Sequence, residues 1–191
     1  MVKPKIIICS ESRKSVKSPD RFMHKFSADG QALAGLLKNN FTVLQREEIE
    51  IEAVGFNGKT AFMRELPLFV FSKFAEYRHR NGDAKLFIIA LRDADTDDAG
   101  KIAEMRRQII DKIKKLSLKR SEIQCVHVMF AVQAIEAWLL ADDQQLNDHL
   151  GVMNKIKHEN NPEKIKHPKQ ILQSLFAQFG KEYTPRQLTG L

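Results

Sequence analysis

The stretch "LFIIALRDADTDDAG" (residues 86–100) decides the fold prediction. It begins with a continuous apolar run, which is typical of a strand buried on both faces of a parallel sheet. Four aspartates follow this run: Asp93, Asp95, Asp97 and Asp98. Between residues 102 and 116 apolar side chains then recur every three or four positions, which predicts an amphipathic helix. A strand that passes through a polar turn into a helix is the repeating unit of an α/β fold.

The same unit recurs on both sides of this stretch. Short apolar or alternating runs predict further strands at 5–9 ("KIIIC"), 41–54 ("FTVLQREEIEIEAV") and 123–132 ("IQCVHVMFAV"). Helical spacing predicts helices from Arg21, from Pro67 as a first-turn proline, and over "AIEAWLLAD". The order β-α-β-α-β-α-β-α predicts a mostly parallel, four-stranded Rossmann-like sheet flanked by helices.

The predicted domain organisation is one α/β domain, residues 1–142, with a helical C-terminal extension, residues 143–191, packed on it. Beyond residue 143 the pattern becomes helical and basic, and Pro168 is placed to begin a helix. A chain of 191 residues is long enough to bury a substantial core.

Composition excludes several classes of protein. No apolar run approaches the roughly 20 residues that a membrane helix needs, and the N-terminal "MVKPKIIICSES" lacks the features of a signal peptide. We therefore expect a cytoplasmic protein with no membrane partner. Two cysteines in apolar runs predict neither a disulfide framework nor a cysteine zinc site.

Positive charge is concentrated directly after the aspartates. The net charge is +7, and residues 101–120 carry eight basic residues against two acids. A basic face attracts polyanions, although a solvated helix surface explains the same pattern. The eight residues are Lys101, Arg106, Arg107, Lys112, Lys114, Lys115, Lys119 and Arg120.

Asp93 and Asp95 form the predicted metal pair. Residues two apart at the end of an extended run project from the same side, where their charges repel each other. A divalent cation relieves that repulsion, and carboxylates favour Mg²⁺ or Mn²⁺. Asp97 continues the alternation as a predicted third ligand, and Asp98 is placed to cap the following helix. The alternative is a polar loop with a helix cap and no metal.

Two glutamates are further candidates. Glu11 follows the first strand at its carboxyl end, where functional groups of parallel sheets gather, and suits a metal ligand or general base. Glu136 opens a helix among apolar residues, and an acid in such surroundings usually has a partner. The predicted contacts to substrate phosphate are Lys59, Arg92, Lys101 and Arg106.

The ordered set resembles a known domain. A glutamate after strand one, "DAD" after strand three and the α/β order resemble the TOPRIM domain of topoisomerases, bacterial primases and nucleases of the overcoming-lysogenization-defect (OLD) type. The segments "QAIEAWLLAD" (133–142) and "PEKIKHPKQIL" (162–172) more closely resemble a family of small TOPRIM-like proteins, domain-of-unknown-function family 4276. The likeness spans most of the chain.

This resemblance implies a role for each acid. Glu11 matches the TOPRIM glutamate, although Ser12 stands where that motif has glycine, and Asp93 and Asp95 match its metal pair. Glu136 and Asp142 match acids that recur in the family, as a catalytic and a substrate-binding group.

The implied function is a Mg²⁺- or Mn²⁺-dependent nuclease acting on DNA or RNA phosphodiesters. The implied setting is bacterial or phage defence beside an ATPase partner.

Two other functions fit the same residues. An apolar strand ending in Asp-x-Asp also holds the diphosphate of a nucleotide sugar in metal-dependent sugar transferases. Alternatively, the protein is a non-catalytic partner of an ATPase, in which the acids are structural.

Overall fold

A single parallel sheet organises the protein. The computed structural model describes residues 3–12, 28–40, 49–81, 85–132, 135–152 and 161–183. The four strands pair in the order β2-β1-β3-β4, and every pair is parallel, which confirms the predicted α/β Rossmann-like class. Their bounds are β1 Lys5–Ser12, β2 Glu50–Asn57, β3 Leu86–Asp93 and β4 Val126–Ala131.

Helices follow the strands along the chain, as the alternation predicts. They are α1 Ala28–Asn40, α2 Gly58–Asn81, α3 Ala99–Lys114, α4 Arg120–Gln124, α5 Ile135–Leu140, α6 Asp143–Leu150 and α7 Pro168–Gln178. A short 3₁₀ helix, Pro162–Lys164, precedes α7. The prediction that Pro168 begins a helix is confirmed. Within the described ranges, no helix has the length and apolar character needed to span a membrane.

The main core lies between one face of the sheet and the pair α2 and α3. Phe56 of β2 sits at its centre, with the rings of Phe62 and Phe69 packed edge-on at 5.5 and 5.6 Å. On the opposite face, Leu91 and Ala131 pack against α1 and against Trp138 of α5. Both faces are therefore covered, as a parallel sheet requires.

A second apolar cluster joins the C-terminal helices. It contains Leu140 of α5, Leu146 of α6, and Leu172 and Phe176 of α7, all buried. Because Trp138 contacts the sheet cluster, α5 contributes to both cores. The domain boundary predicted at residue 143 stays a prediction, and α5 is the element that connects the two cores.

The junction between β2 and α2 differs from the prediction. Helix α2 begins at Gly58 immediately after β2, with Gly58 in the left-handed region at φ 77°. The placement of Pro67 in a first turn is wrong, because Pro67 lies inside this 24-residue helix. Proline has no N–H, so the carbonyl of Met63, four residues earlier, loses its helical donor. The Lys112 ammonium donates to that carbonyl instead, at 3.5 Å.

Two predicted elements are only partly within the described residues. The helix predicted from Arg21 is described from Ala28 onward, as α1, and residues 21–27 lie outside the described ranges. Of the strand predicted at 41–54, residues 41–48 lie outside them, and the strand itself runs on to Asn57.

Candidate functional site

The acidic candidates gather at the carboxyl edge of the sheet. Strand β1 lies between β2 and β3, so Glu11 and Asp93 are near the ends of neighbouring strands, as predicted. The pairing of β1 with β3 ends at Ser10 and Leu91, so both acids lie beyond the last residues that these two strands pair with each other. Parallel strands thus bring two acids, 82 positions apart in the sequence, to one edge.

The two acids reach this edge on opposite faces of the sheet. Side chains alternate along a strand, and register partners in a parallel sheet share a face. Glu11 is the partner of Phe56, on the face covered by α2 and α3. Asp93 is the partner of Ala131 and alternates with Leu91, on the face covered by α1 and α5.

Glu11 has a cationic neighbour on its own face. The Arg92 Nε lies 3.9 Å from the Glu11 carboxylate, and the Arg92 side chain is only 11% exposed. No described residue accepts a hydrogen bond from this buried Nε. A guanidinium with so little exposure to water needs a hydrogen-bond acceptor from the protein or from a ligand.

Asp95 departs from the predicted alternation. Strand β3 ends at Asp93, and Asp95 adopts the left-handed conformation at φ 54°, which Asp tolerates better than most residues. The expectation that Asp95 and Asp97 continue the strand is therefore wrong, because the backbone turns before either residue. Asp95 is exposed, and its carboxylate forms an ion pair with the ammonium of Lys59 from the first turn of α2.

Asp98 caps helix α3, as predicted. Its carboxylate accepts hydrogen bonds from the backbone N–H groups of Gly100 at 2.9 Å and Lys101 at 3.1 Å. The bond from the Lys101 N–H is the largest cause of the lowered pKa of Asp98; desolvation opposes it, and the bond from the Gly100 N–H adds to the lowering. Asp97 is exposed, and its role as a third ligand stays a prediction.

A metal at this edge would be only partly coordinated by protein. Among the described residues, no three His, Cys, Asp or Glu side chains are grouped closely enough to hold an ion. Mg²⁺, however, is usually bound by one or two carboxylates, with water and substrate phosphate completing its octahedron. Asp93 and Asp95 are the two carboxylates predicted for such a site; β3 ends at Asp93, the backbone turns at Asp95, and Asp95 is paired with Lys59.

Glu136 and Asp142 lie on the C-terminal side of the sheet. Glu136 is half-buried in the first turn of α5. Asp142 precedes α6, and its carbonyl accepts a hydrogen bond from Leu146 N at 3.1 Å. The predicted roles of both acids stay predictions.

A groove of about 690 Å³ opens between α2, the end of β3 and the end of α3. We call it the basic groove, because five cations and no acid are found among the described residues that line it. The five are Lys59, Arg64, Arg92, Lys112 and Lys115. Two of them are the cations that contact Asp95 and Glu11. The basic groove and the acidic edge therefore share a border.

The four residues predicted to contact phosphate do not all lie on the same surface. Lys59 and Arg92 line the basic groove. Lys101 lies 3.8 Å from Asp98 at the start of α3, and Arg106 lines a different groove along β4.

The sequence did not single out Arg64, and it indicated Lys112 and Lys115 only as two of the eight basic residues at 101–120. Helical spacing would have indicated one cationic face on α2 and one on α3 if α2 had been predicted to start at residue 58.

The comparisons with known proteins identify a family but no function. The model of the family described as "Domain of unknown function (DUF4276)" matches residues 9–187, so the chain belongs to that family. No curated protein and no solved structure matches the chain.

Proposed function

We propose that this member of the DUF4276 family is a metal-dependent, TOPRIM-like nuclease that hydrolyses phosphodiester bonds of DNA or RNA. One observation supports this most directly. At the carboxyl edge of the sheet, Glu11 and Asp95 are in contact with Arg92 and Lys59, which line the basic groove. Carboxylates that suit a divalent cation therefore lie next to cations that suit a phosphate.

In this proposal Asp93 and Asp95 would hold Mg²⁺ or Mn²⁺, with Asp97 as a further ligand. Glu11, which reaches the edge on the other face of the sheet, would be the general base or a ligand of a second ion. A bound ion of this kind polarises a phosphoryl oxygen and lowers the pKa of water. The carboxylates offer hard oxygen donors without a thiol or imidazole, which favours these ions over zinc. Asp95 is exposed and so is open to exchange its Lys59 partner for an ion.

The cations orient the substrate in the same proposal. Arg92 is held by its burial beside Glu11, and its planar guanidinium can present two donors to one phosphate. Lys59 adds a mobile charge from the start of α2. Glu11 accepts the proton of the attacking water as general base, and Glu136 assists as a second acid or base.

The biological setting belongs to the same proposal. The protein works in the cytoplasm, beside an ATPase partner, as a component of bacterial or phage defence, with Asp142 contacting the substrate. The support for this setting is the TOPRIM resemblance of the motifs.

The test is a cleavage assay combined with metal titration. Purified protein with Mg²⁺ or Mn²⁺ is incubated with single- and double-stranded DNA and RNA. We expect cleavage of at least one substrate, and Asp93→Asn to reduce it by at least about 100-fold, because loss of even an outer-shell group commonly costs 10–100-fold. Glu52→Gln, a carboxylate in the same sheet that pairs with Lys5, is the matched control and should keep wild-type cleavage.

Two outcomes would overturn the proposal. One is intact nucleic acid in every reaction, together with Asp93→Asn binding Mn²⁺ in calorimetry as the wild type does. The other is tight, metal-dependent binding of a nucleoside diphosphate sugar without cleavage, which would favour the transferase alternative.

A further inference from the structure

The basic groove is built by two helices that present cations to each other. On α2, Lys59, Met63 and Pro67 are spaced by four residues and so lie along one face. On α3 and just beyond it, Lys112 and Lys115 are three apart and also share a face. The Lys112 ammonium bonds the Met63 carbonyl at 3.5 Å and fixes the two faces beside each other.

The cations of this groove are incompletely neutralised by the protein. Arg64 is paired with Glu65, Lys59 with Asp95, and Arg92 lies 3.9 Å from Glu11. In the part of the chain that the structure describes, no carboxylate forms an ion pair with Lys112 or Lys115. No carboxylate is found among the described residues that line the groove itself. Five like charges around one open groove repel each other, and a bound anion would relieve that repulsion.

The length of the groove favours a chain of phosphates over a single one. From Lys59 to Pro67 the axis of α2 advances about 12 Å, at about 1.5 Å per residue. A nucleic acid strand carries one phosphate per about 3.4 Å of helix axis, and its phosphates are further apart when the strand is extended. A length of about 12 Å therefore spans about three to four phosphates at that spacing, and fewer in an extended strand. The apolar lining at Met63 and Pro67 can pack against sugar.

We propose that the basic groove binds the phosphodiester backbone of a nucleic acid strand and delivers it to the carboxyl edge of the sheet. Arg64, Lys112 and Lys115 hold the phosphates that flank the scissile one. Lys59 and Arg92, at the border, contact the phosphate nearest the acids. This inference rests on the proposed function for its substrate class, but binding is measurable without any cleavage.

The experiment compares two double variants that remove the same charge. Arg64→Gln with Lys115→Gln removes two cations of the groove. Arg107→Gln with Lys114→Gln removes two cations of α3 that pair with acids of their own helix, Glu104 and Asp111. Fluorescence anisotropy of a labelled single-stranded oligonucleotide is read with EDTA present, across a salt series. Circular dichroism verifies that both variants are folded.

We expect the groove variant to weaken binding by at least about tenfold. Each lost phosphate contact should reduce the slope of log K against log salt by about 0.7, so the slope should fall by about 1.4. The control variant should change affinity less than about twofold. Inorganic phosphate should compete poorly, because one phosphate fills only part of the groove.

The outcomes separate this inference from the proposed function. Equal losses in the two variants, or no binding by wild-type protein at low salt, would overturn the inference even if nucleic acid is cleaved. A selective loss in the groove variant, with no cleavage by the wild type, would uphold the groove and overturn the nuclease.

Discussion

The two edges of the sheet carry the same kinds of charged residue in different arrangements. At the amino edge, the ammonium of Lys5 contacts Glu50 and Glu52 at 2.7 Å each, and its side chain is 19% exposed. At the carboxyl edge, Arg92 lies 3.9 Å from Glu11, and Lys59 meets Asp95 at the surface. One edge is closed by compact ion pairs, whereas the other borders an open groove.

The difference follows from where the partners come from. Lys5 and Glu50 are register partners on paired strands, so their contact forms with the sheet itself. Lys59 and Asp95 belong to a helix start and to a turn, and both retain access to solvent. Charges fixed by strand pairing serve stability, whereas charges held by separate elements can exchange partners for a ligand.

Replacing Lys5 tests the structural edge and should have the largest effect on stability. Lys5→Met leaves Glu50 and Glu52 on one face of β2 without their common cation. The free energy of unfolding should fall by only about 1 kcal/mol, because Glu50 is largely exposed to solvent that screens its charge. Urea unfolding at pH 7 measures this loss. The exposed Lys85→Met, at the adjacent strand start, is the control and should change stability much less.

The pH dependence of this loss has a definite sign. Burial alone would lower the pKa of Lys5, but hydrogen bonds to Glu50 and Glu52 outweigh it and raise the pKa above 10.5. The stabilisation is therefore complete below pH 10.5 and is lost as the pH rises through the raised pKa. Wild type and Lys5→Met should converge in stability above that range. A difference that persists at the highest pH would show that Lys5 acts through packing.

Replacing Lys59 makes the same chemical change at the other edge. Lys59→Met frees the Asp95 carboxylate from a competing cation, so Mn²⁺ affinity should rise two- to fivefold, since an exposed ion pair contributes up to about 1 kcal/mol. Oligonucleotide affinity should fall, because the groove loses a cation. Calorimetry and anisotropy measure the two effects, and Lys5→Met should change neither. A fall in Mn²⁺ affinity would mean that Lys59 supports the acids instead of competing with a metal.

The fold could be predicted from the sequence because the patterns of the strands and those of the helices between them indicate the same α/β fold. Buried parallel strands have apolar runs, and the helices between them have apolar stripes, such as the stripe that buries Ile109 and Ile113. The errors fell at β2, at α2, and before β4, where α4 includes the first two residues of the strand predicted at 123–132. Pro67 suggested a helix start, but an inter-helix bond from Lys112 makes a proline inside the helix tolerable. That bond joins residues 49 positions apart, and no local pattern reveals it.

The edge of the sheet on which the candidate acids lie was predictable from the strand order, and their geometry was less so. Strand order placed Glu11 beside the strand of Asp93 correctly. Alternation beyond Asp93 failed, because Asp95 turns to positive φ, which a run of aspartates does not specify. The groove cations were missed as a group, because they converge through the packing of α2 on α3, a tertiary contact.

Replacing Asp98 should have the smallest effect. It tests whether this aspartate is only a helix cap or also a metal ligand. Its carboxylate caps α3, and the hydrogen bond from Lys101 N–H chiefly holds its pKa below 3.8. A lowered pKa gives stability that is present above pH 3.8 and lost as the pH falls through the lowered value. Asp98→Ala should therefore reduce Tm slightly at pH 7, and the reduction should shrink as the pH falls below 3.8. Asp98→Asn, which also caps helices, should stay close to wild type at pH 7. Thermal unfolding by circular dichroism measures both, and Mn²⁺ affinity should not change in either variant. If Asp98→Ala instead lost Mn²⁺ as completely as Asp93→Asn, the cap would also be a ligand, and the metal site would extend from the strand end into the first turn of α3.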